Sequence, residues 1–316
     1  MDEVKVKTVS STEMARRIVR YGELRPCFNA FVDTRTPGSE AKENFTIIGP
    51  GVSENPAQYV HITEPHGYNI GGARQPPNCV NSQHSHETAE VFVAHTGHWR
   101  FDLGEDCEDA HVYLGPGDLV SLPPGAFRGF TNVGDDVGFL WAILGEDDPG
   151  RVTWAPKVFE LAKNYGLMLM ENGRLVDTVA GETPPPGVAP LAPTTKAQAA
   201  AMKHISQVEA DAFVVRQPDK STQGEVQLIG PKGMITAPHG FIVTRRTIAA
   251  GGRLASESHD CAMVVFVHTG SLAISWQDGS VVLGPGDTMT VPSHLHWSMA
   301  SKDGAIVFTV LRSPAA

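Results

Sequence analysis

Short apolar runs separated by turns dominate the chain. Val91-Phe92-Val93-Ala94, Trp99-Arg100-Phe101, Leu119-Val120-Ser121-Leu122 and Phe139-Leu140-Trp141-Ala142-Ile143-Leu144 are strand-length and rich in β-branched or aromatic residues. Gly, Pro and Asp punctuate them every ~8–12 residues, a spacing that predicts a sandwich or small barrel. Val264-Val265-Phe266-Val267, Leu272 to Trp276, Thr288 to Val291 and Ala305 to Leu311 give the same sequence of runs further on. Helical periodicity is scarce. Ser10 or Ser11 is placed to cap a short helix through Glu13 to Val19, and Pro156 to open one covering Val158 to Ala162. A third short helix is expected near Lys196 to Met202, after the stiff Pro-rich stretch Glu182 to Pro193.

The two series of strands are copies. Pro65-His66-Gly67-Tyr68 matches Pro238-His239-Gly240-Phe241, an offset of 173 residues. The same offset carries His86 onto His259 and His95-Thr96-Gly97 onto His268-Thr269-Gly270. Leu114-Gly115-Pro116-Gly117-Asp118 then matches Leu283-Gly284-Pro285-Gly286-Asp287, at an offset of 169. The expected domains are an extension over 1–59, a first copy over 60–150, a helix and linker over 151–203, and a second copy over 204–316.

Composition narrows the function. The 316 residues are 41% hydrophobic and 19% charged, enough apolar material for two cores. The net charge of −10 argues against a nucleic-acid partner or an anionic membrane surface. No apolar run reaches the ~18–20 residues of a spanning helix. The amino-terminal stretch has no apolar core after a basic start, so a cytoplasmic location is expected. Cys27, Cys79, Cys107 and Cys261 form no CxxC pair and are expected to be reduced thiols. No phosphate loop, dinucleotide fingerprint or GxSxG elbow is present.

The first copy carries His84-Ser85-His86, then Glu90 after three residues and Gly97 after six more. Gly117, Pro123, Gly125 and Asn132 follow at fixed spacings. These residues resemble the two motifs of the cupin superfamily, and the chain from about residue 60 resembles a bicupin. Asn78 stands where the family has a glycine. The resemblance implies an all-β fold of two jelly-roll (double-stranded β-helix) cupin barrels in tandem, with a few short helices. It also implies one divalent metal per chain, Fe(II) first, with Mn, Ni or Zn as alternatives. His84, His86 and Glu90 are the expected ligands. Their shared parity places all three on one face of a regular strand.

The second-motif histidine is replaced by Arg128. Arginine stays protonated and cannot ligate a metal. Two readings are open: Arg128 acts catalytically by orienting an acidic substrate, or it pairs with Glu90 and no metal is held. In the second copy Glu257 replaces the first His, Met263 the Glu and Trp297 the last His. Either its interior has filled with Met263 and Trp297, or a one-residue slip brings His296 inward to form a second site with Glu257 and His259. His95 and His268 have the opposite parity to the ligands and read as structural. His66 and His239 read as scaffold residues, His98, His111 and His204 as surface residues, and Asp118 and Asp287 as turn residues.

The resemblance extends to the gentisate 1,2-dioxygenase and quercetin dioxygenase group, which implies O2-dependent cleavage of a small aromatic or carboxylate substrate. Phe92, Phe127 and Phe130 are candidate cavity walls in that reading. The alternatives are a redox-neutral metalloenzyme (isomerase, lyase or decarboxylase) and a bicupin that binds a small molecule without catalysis. A homodimer or larger homo-oligomer is expected, since exposed sheet edges need covering.

Overall fold

The protein is described by a computed structural model that covers residues 8–218 and 224–314. Strands account for most of the ordered backbone, and the strand runs read from the sequence are found within a residue or two of their expected limits. The chain divides into two compact units. One holds residues 25–60 and 69–217; the other holds the described residues of 1–24, 61–68 and 218–316. The fold is all-β, in tandem jelly-roll barrels with short helices.

The first copy forms two facing sheets. In one, Thr153–Trp154, Val80–Ser85, Arg128–Asn132, Trp99–Leu103 and Ala110–Leu114 lie side by side in that order. Its register sets Arg128 opposite His84 on one side and opposite Leu103 on the other. Trp154 pairs with His84 from the far side, so Trp154, His84 and Arg128 form a row across the sheet. The other sheet contains Leu119–Leu122, Glu90–Thr96, Gly138–Gly145, Tyr68–Gln75 and Glu43–Ile48 in that order. Alternating residues of both sheets meet in the core. Phe92 packs against Phe101 and Phe130 at centroid distances of 5.2 and 5.3 Å. Each such ring contributes roughly 1.5–3 kcal/mol by leaving water.

Two backbone positions explain motif residues. Gly97 has φ +82°, and a Cβ there would lie 2.6 Å from the Gly138 Cα, so no side chain is accommodated. Asn78 has φ +62°, a region Asn tolerates, and so fills a place where the family has glycine.

Each unit is completed by an arm from outside its own repeat. Ser206 caps the helix Gln207–Ala212 in a capping box with Glu209, and Val214–Val215 then pairs with Leu119–Leu122. Arg216 Nη1 donates to Asp118 Oδ2 at 2.8 Å, and Gln217 N to Oδ1 at 2.7 Å. In the other unit Ser10 caps Ser11–Ala15 in a box with Glu13, and Ile18–Val19 pairs with Thr288–Val291. Arg20 Nη1 and Tyr21 N donate to Asp287 at 2.6 and 2.9 Å. Asp118 and Asp287 also accept from their own turns, at Gly115 N and Gly284 N. The expected turn role is therefore joined by a second one, anchoring the arm. The first helix stops at Ala15 rather than reaching Val19, because Ile18 and Val19 are spent on covering a sheet edge. This is also why 1–24 and 204–217 fall in different units from those the linear reading gave them.

The second copy is built the same way, from Thr288–Val291, Met263–Gly270, Ala305–Arg312, Phe241–Ile248 and Gly224–Ile229 in one sheet. Arg253–Glu257, Trp297–Ala300, Leu272–Trp276 and Gly279–Leu283 make the other. Met263, Trp297, Met289 and Met299 are buried together in its centre. His66, packed in this unit, donates from Nδ1 to Glu64 O at 2.7 Å, and its Nε2 lies 3.2 Å from Thr290 Oγ1, a scaffold role.

The arm anchors give a stability test. Asp287→Ala removes the acceptor of the half-buried Tyr21 and Gly284 amides and is expected to cost about 1–3 kcal/mol in denaturant unfolding. Proteolysis near residue 20 should accelerate with it. Unchanged unfolding and unchanged cleavage would contradict the anchoring role.

Candidate metal centre

His84, His86 and Glu90 converge from two sheets. His84 lies in the strand Val80–Ser85, His86 just beyond its end, and Glu90 opens the strand Glu90–Thr96 of the facing sheet. Shared strand parity therefore does not unite them. The chain leaves one sheet after Ser85, turns through residues 86–89, and enters the other. The turn is pinned where Gly125 N donates to His86 O at 3.0 Å. All three side chains are buried, each 4% exposed. One donor atom from each lies within 4.8 Å of the others. Among the described residues this is the group of three donors close enough to share an ion.

The tautomer of His84 follows from its neighbours. Nδ1 lies 2.7 Å from Ser82 O, which requires a proton on Nδ1. The longer 3.3 Å contact to Asn81 Nδ2 is secondary. Nε2 is then left with a free lone pair. His86 Nδ1 is buried without a hydrogen-bond partner, and its Nε2 is 3.6 Å from Glu90 Oε1. Burial, helped by the Arg128 charge, lowers the His84 pKa to about 3 and holds that of His86 well below its ordinary value. Both rings are neutral, the form that binds metal. Two neutral imidazoles and a carboxylate at these separations fit a divalent first-row ion.

Arg128 is fully buried and faces Glu90. Its Nε and Nη2 lie 3.2 and 3.0 Å from Glu90 Oε2, while Nη1 donates to Ala126 O at 2.9 Å. The guanidinium is thus committed to Glu90 and to its own loop, and the cavity walls do not include it. Burial raises the Glu90 pKa, and Arg128 opposes that rise. Glu90 Oε1 remains on the side of the histidines.

Residues not singled out in the sequence support this group. Asp33 and Lys42 form a fully buried ion pair. Asp33 Oδ2 accepts from Ser82 N at 2.9 Å, and Lys42 Nζ donates to Asn81 Oδ1 at 3.1 Å. The pair therefore fixes both backbone and side-chain neighbours of His84. Trp154 packs on the His84 ring at 5.5 Å, and its Nε1 donates to Glu54 at 2.6 Å. Burial raises the Glu54 pKa to about 8. Asp33, Lys42 and Glu54 lie outside both motifs, in polar stretches of sequence that do not mark them.

The three donors open on a cavity of about 70 Å³, room for about five waters. Phe92, Phe130, Ala142, Leu144 and Val152 supply apolar walls. Phe127, expected there too, packs instead with Trp154 and Val158 in a neighbouring cluster. His95 and His268 are buried, at 6% and 5% exposure, against Phe139 and Phe308. His98, His111 and His204 are exposed.

The second copy keeps His259 and differs at the other three ligand positions. Arg246 donates to both Glu257 oxygens at 3.1 and 3.2 Å, and its guanidinium lies 5.6 Å from the Trp297 ring. His259 Nε2 is 3.4 Å from Glu257, but His296 is exposed and does not join them. Trp297 and Met263, at 1% and 0% exposure, fill the interior. The strand runs in unbroken register from Ala300 to Trp297 against Ala273 to Trp276, and the bulge on its other side lies in the strand of Glu257, so His296 is not turned inward.

No protein-family model and no curated protein sequence matches the chain. Solved structures do match in fold. The formate complex of oxalate decarboxylase from Lactobacillus farciminis superposes with a TM-score of 0.58 at 11% identity, covering 99% of this chain and 89% of that one. Oxalate decarboxylase from Bacillus subtilis at pH 4.6 gives 0.56 at 11%, covering 99% and 78%. AerE from Microcystis aeruginosa gives 0.50 at 10%, covering 95% and 100%. At such identities the likeness concerns the fold. Together with the internal repeat and the two barrels, it shows that the chain has the bicupin fold, two jelly-roll barrels in tandem.

Proposed function

We propose that the unit of residues 25–60 and 69–217 is a divalent-metal-dependent oxygenase for a small anionic substrate. The observation that carries this reading is the three-donor group of His84, His86 and Glu90 facing an apolar cavity, with a cation at the fourth motif position. Two histidines and one carboxylate leave several coordination positions open, the pattern of non-haem Fe(II) oxygenases. When bound, such an ion supplies a site where substrate oxygens and O2 are held together and developing charge is stabilised.

The chain's own groups divide the remaining work. His84 and His86 present Nε2 lone pairs and would hold the ion with Glu90 Oε1. Arg128 is a positioning residue: it holds Glu90 Oε2 and opposes the upward shift that burial gives the carboxyl. A divalent ion, one carboxylate and one guanidinium leave two positive charges uncompensated where water is excluded. An anionic substrate offsets them, which supports a small carboxylate or enolate as the ligand. Phe92, Phe130 and Leu144 exclude bulk water from it.

Elemental mass spectrometry on anaerobically Fe(II)-loaded protein tests the reading. About one iron per chain is expected in the wild type and near none in His86→Ala, with O2 consumption on adding small aromatic or carboxylic acids. Iron retained in His86→Ala would contradict the site. Metal bound without O2 consumption for any acid would replace the oxygenase with a redox-neutral enzyme.

Arg128→His removes the cation and adds a donor at the fourth motif position. Metal affinity is expected to rise at least about tenfold, measured by competition with a chelating dye. Unchanged or weaker binding would mean that Arg128 does not border the ion.

The pH dependence of the metal-free protein follows from the depressed histidines. His84 stays neutral down to about pH 3 when folded, against an ordinary value of 6.5, and His86 shifts the same way. Unfolding lets both rings take protons, so their contribution is complete above about pH 6.5 and is lost as pH falls toward 3. Denaturant unfolding should show lower stability at pH 5 than at pH 7, with a slope shallower by about one proton in His86→Gln. Equal slopes in the two proteins would contradict a buried neutral His86.

A further inference from the structure

The cavity wall formed by the strand Glu43–Ile48 and the segment after it carries polar groups that the proposed metal chemistry does not use. Asn44 lies on that wall and is 6% exposed. Its backbone is fully engaged: Asn44 N donates to Cys27 O at 3.2 Å, and Asn44 O accepts from Cys27 N at 2.8 Å. Its side-chain Nδ2 is buried without any hydrogen-bond partner. Gln58 lies on the same wall. Its Nε2 donates to Thr46 Oγ1, which leaves Oε1 buried and equally without a partner. Asn44 and Gln58, one carrying an unpaired donor and the other an unpaired acceptor, thus line one small cavity with His84, His86 and Glu90 and with the polar residues Thr46, Ser53, Asn69 and Asn81.

Leaving such groups unmatched is unfavourable, and a scaffold position of this size is better served by leucine. Asn44 Nδ2 takes no part in the fold's hydrogen bonding, since the strand there is held by backbone bonds, whereas Gln58 is tied to that strand through Thr46. A ligand with a hydroxyl satisfies both at once: its oxygen accepts from Asn44 Nδ2, and its proton goes to Gln58 Oε1. We infer that Asn44 is a specificity-determining residue, with Gln58 as its partner, and that the substrate is a small hydroxy acid whose hydroxyl docks on this wall. This rests on the metal reading above for the placement of the carboxylate. It adds a second recognition point, which that reading does not require. A site built to hydrogen-bond a hydroxyl rejects the analogue without it far more strongly than an apolar pocket rejects an added methylene.

The test uses full-length protein loaded with Co(II), whose visible absorption bands report both metal binding and ligand entry. Three matched pairs of acids are titrated: glycolate and propanoate, 3-hydroxypropanoate and butanoate, 4-hydroxybutanoate and pentanoate. Wild type is expected to favour the hydroxy acid at least about tenfold in one pair, and Asn44→Leu to abolish that preference. In parallel, metal-free Asn44→Leu is expected to melt at or above the wild-type temperature, because it removes an unsatisfied buried amide. Equal binding within every pair would overturn the inference and leave water as the occupant of the wall. A preference that survives in Asn44→Leu would overturn it as well. If no cobalt bands develop, the metal reading falls instead. The melting comparison then decides alone, and a variant melting several degrees lower returns Asn44 to the scaffold.

Discussion

The buried pair of Glu90 and Arg128 is the constraint on which the site depends. Both charges are buried, Arg128 fully and Glu90 but for its edge on the cavity, and each would be costly to bury alone. Together they lock a carboxylate from one sheet to a guanidinium from the other, which holds the two layers of the barrel in one alignment at this point. Burial pushes the Glu90 carboxyl toward its neutral form and Arg128 pushes it back. The same guanidinium lowers the proton affinity of His84 and His86. Burial is thus the larger influence on all three candidate ligands, and Arg128 adds to it at the histidines and opposes it at Glu90.

A parallel arrangement in the second copy has a different consequence. There Arg246 takes both oxygens of Glu257 and stacks on Trp297. Arg128 uses one carboxylate oxygen and leaves the other toward His86, whereas Arg246 leaves none. With Met263 and Trp297 filling the interior, the second barrel supplies packing where the first supplies a cavity. The repeat has kept the scaffold in both halves and the open donor set in one.

Much of this was legible in the sequence because it is local. Strand runs, Gly-Pro-Gly-Asp turns and the His84-x-His86 pair depend on neighbours a few residues away. Glu90 was identified by its motif but assigned the wrong geometry, since periodicity along one strand says nothing about a chain that changes sheets after Ser85. The destination of Arg128 was left open because its partner lies 38 residues away. Asp33, Lys42 and Glu54 escaped notice because their partners come from other strands. So did the arms: the pairing of Arg20 with Asp287 spans 267 residues, and no local pattern announces it. The Ser10–Glu13 and Ser206–Glu209 capping boxes were the available signal, a third repeated element lying outside the strand runs.

The central claim is that the three donors share one ion beside an arginine that stays on Glu90. Anomalous diffraction at the iron edge from anaerobically Fe(II)-loaded crystals tests it most directly. The expected result is one peak per chain bounded by His84 Nε2, His86 Nε2 and Glu90 Oε1, with Arg128 still bound to Oε2. A peak elsewhere, or an empty site at full iron loading, would contradict the account.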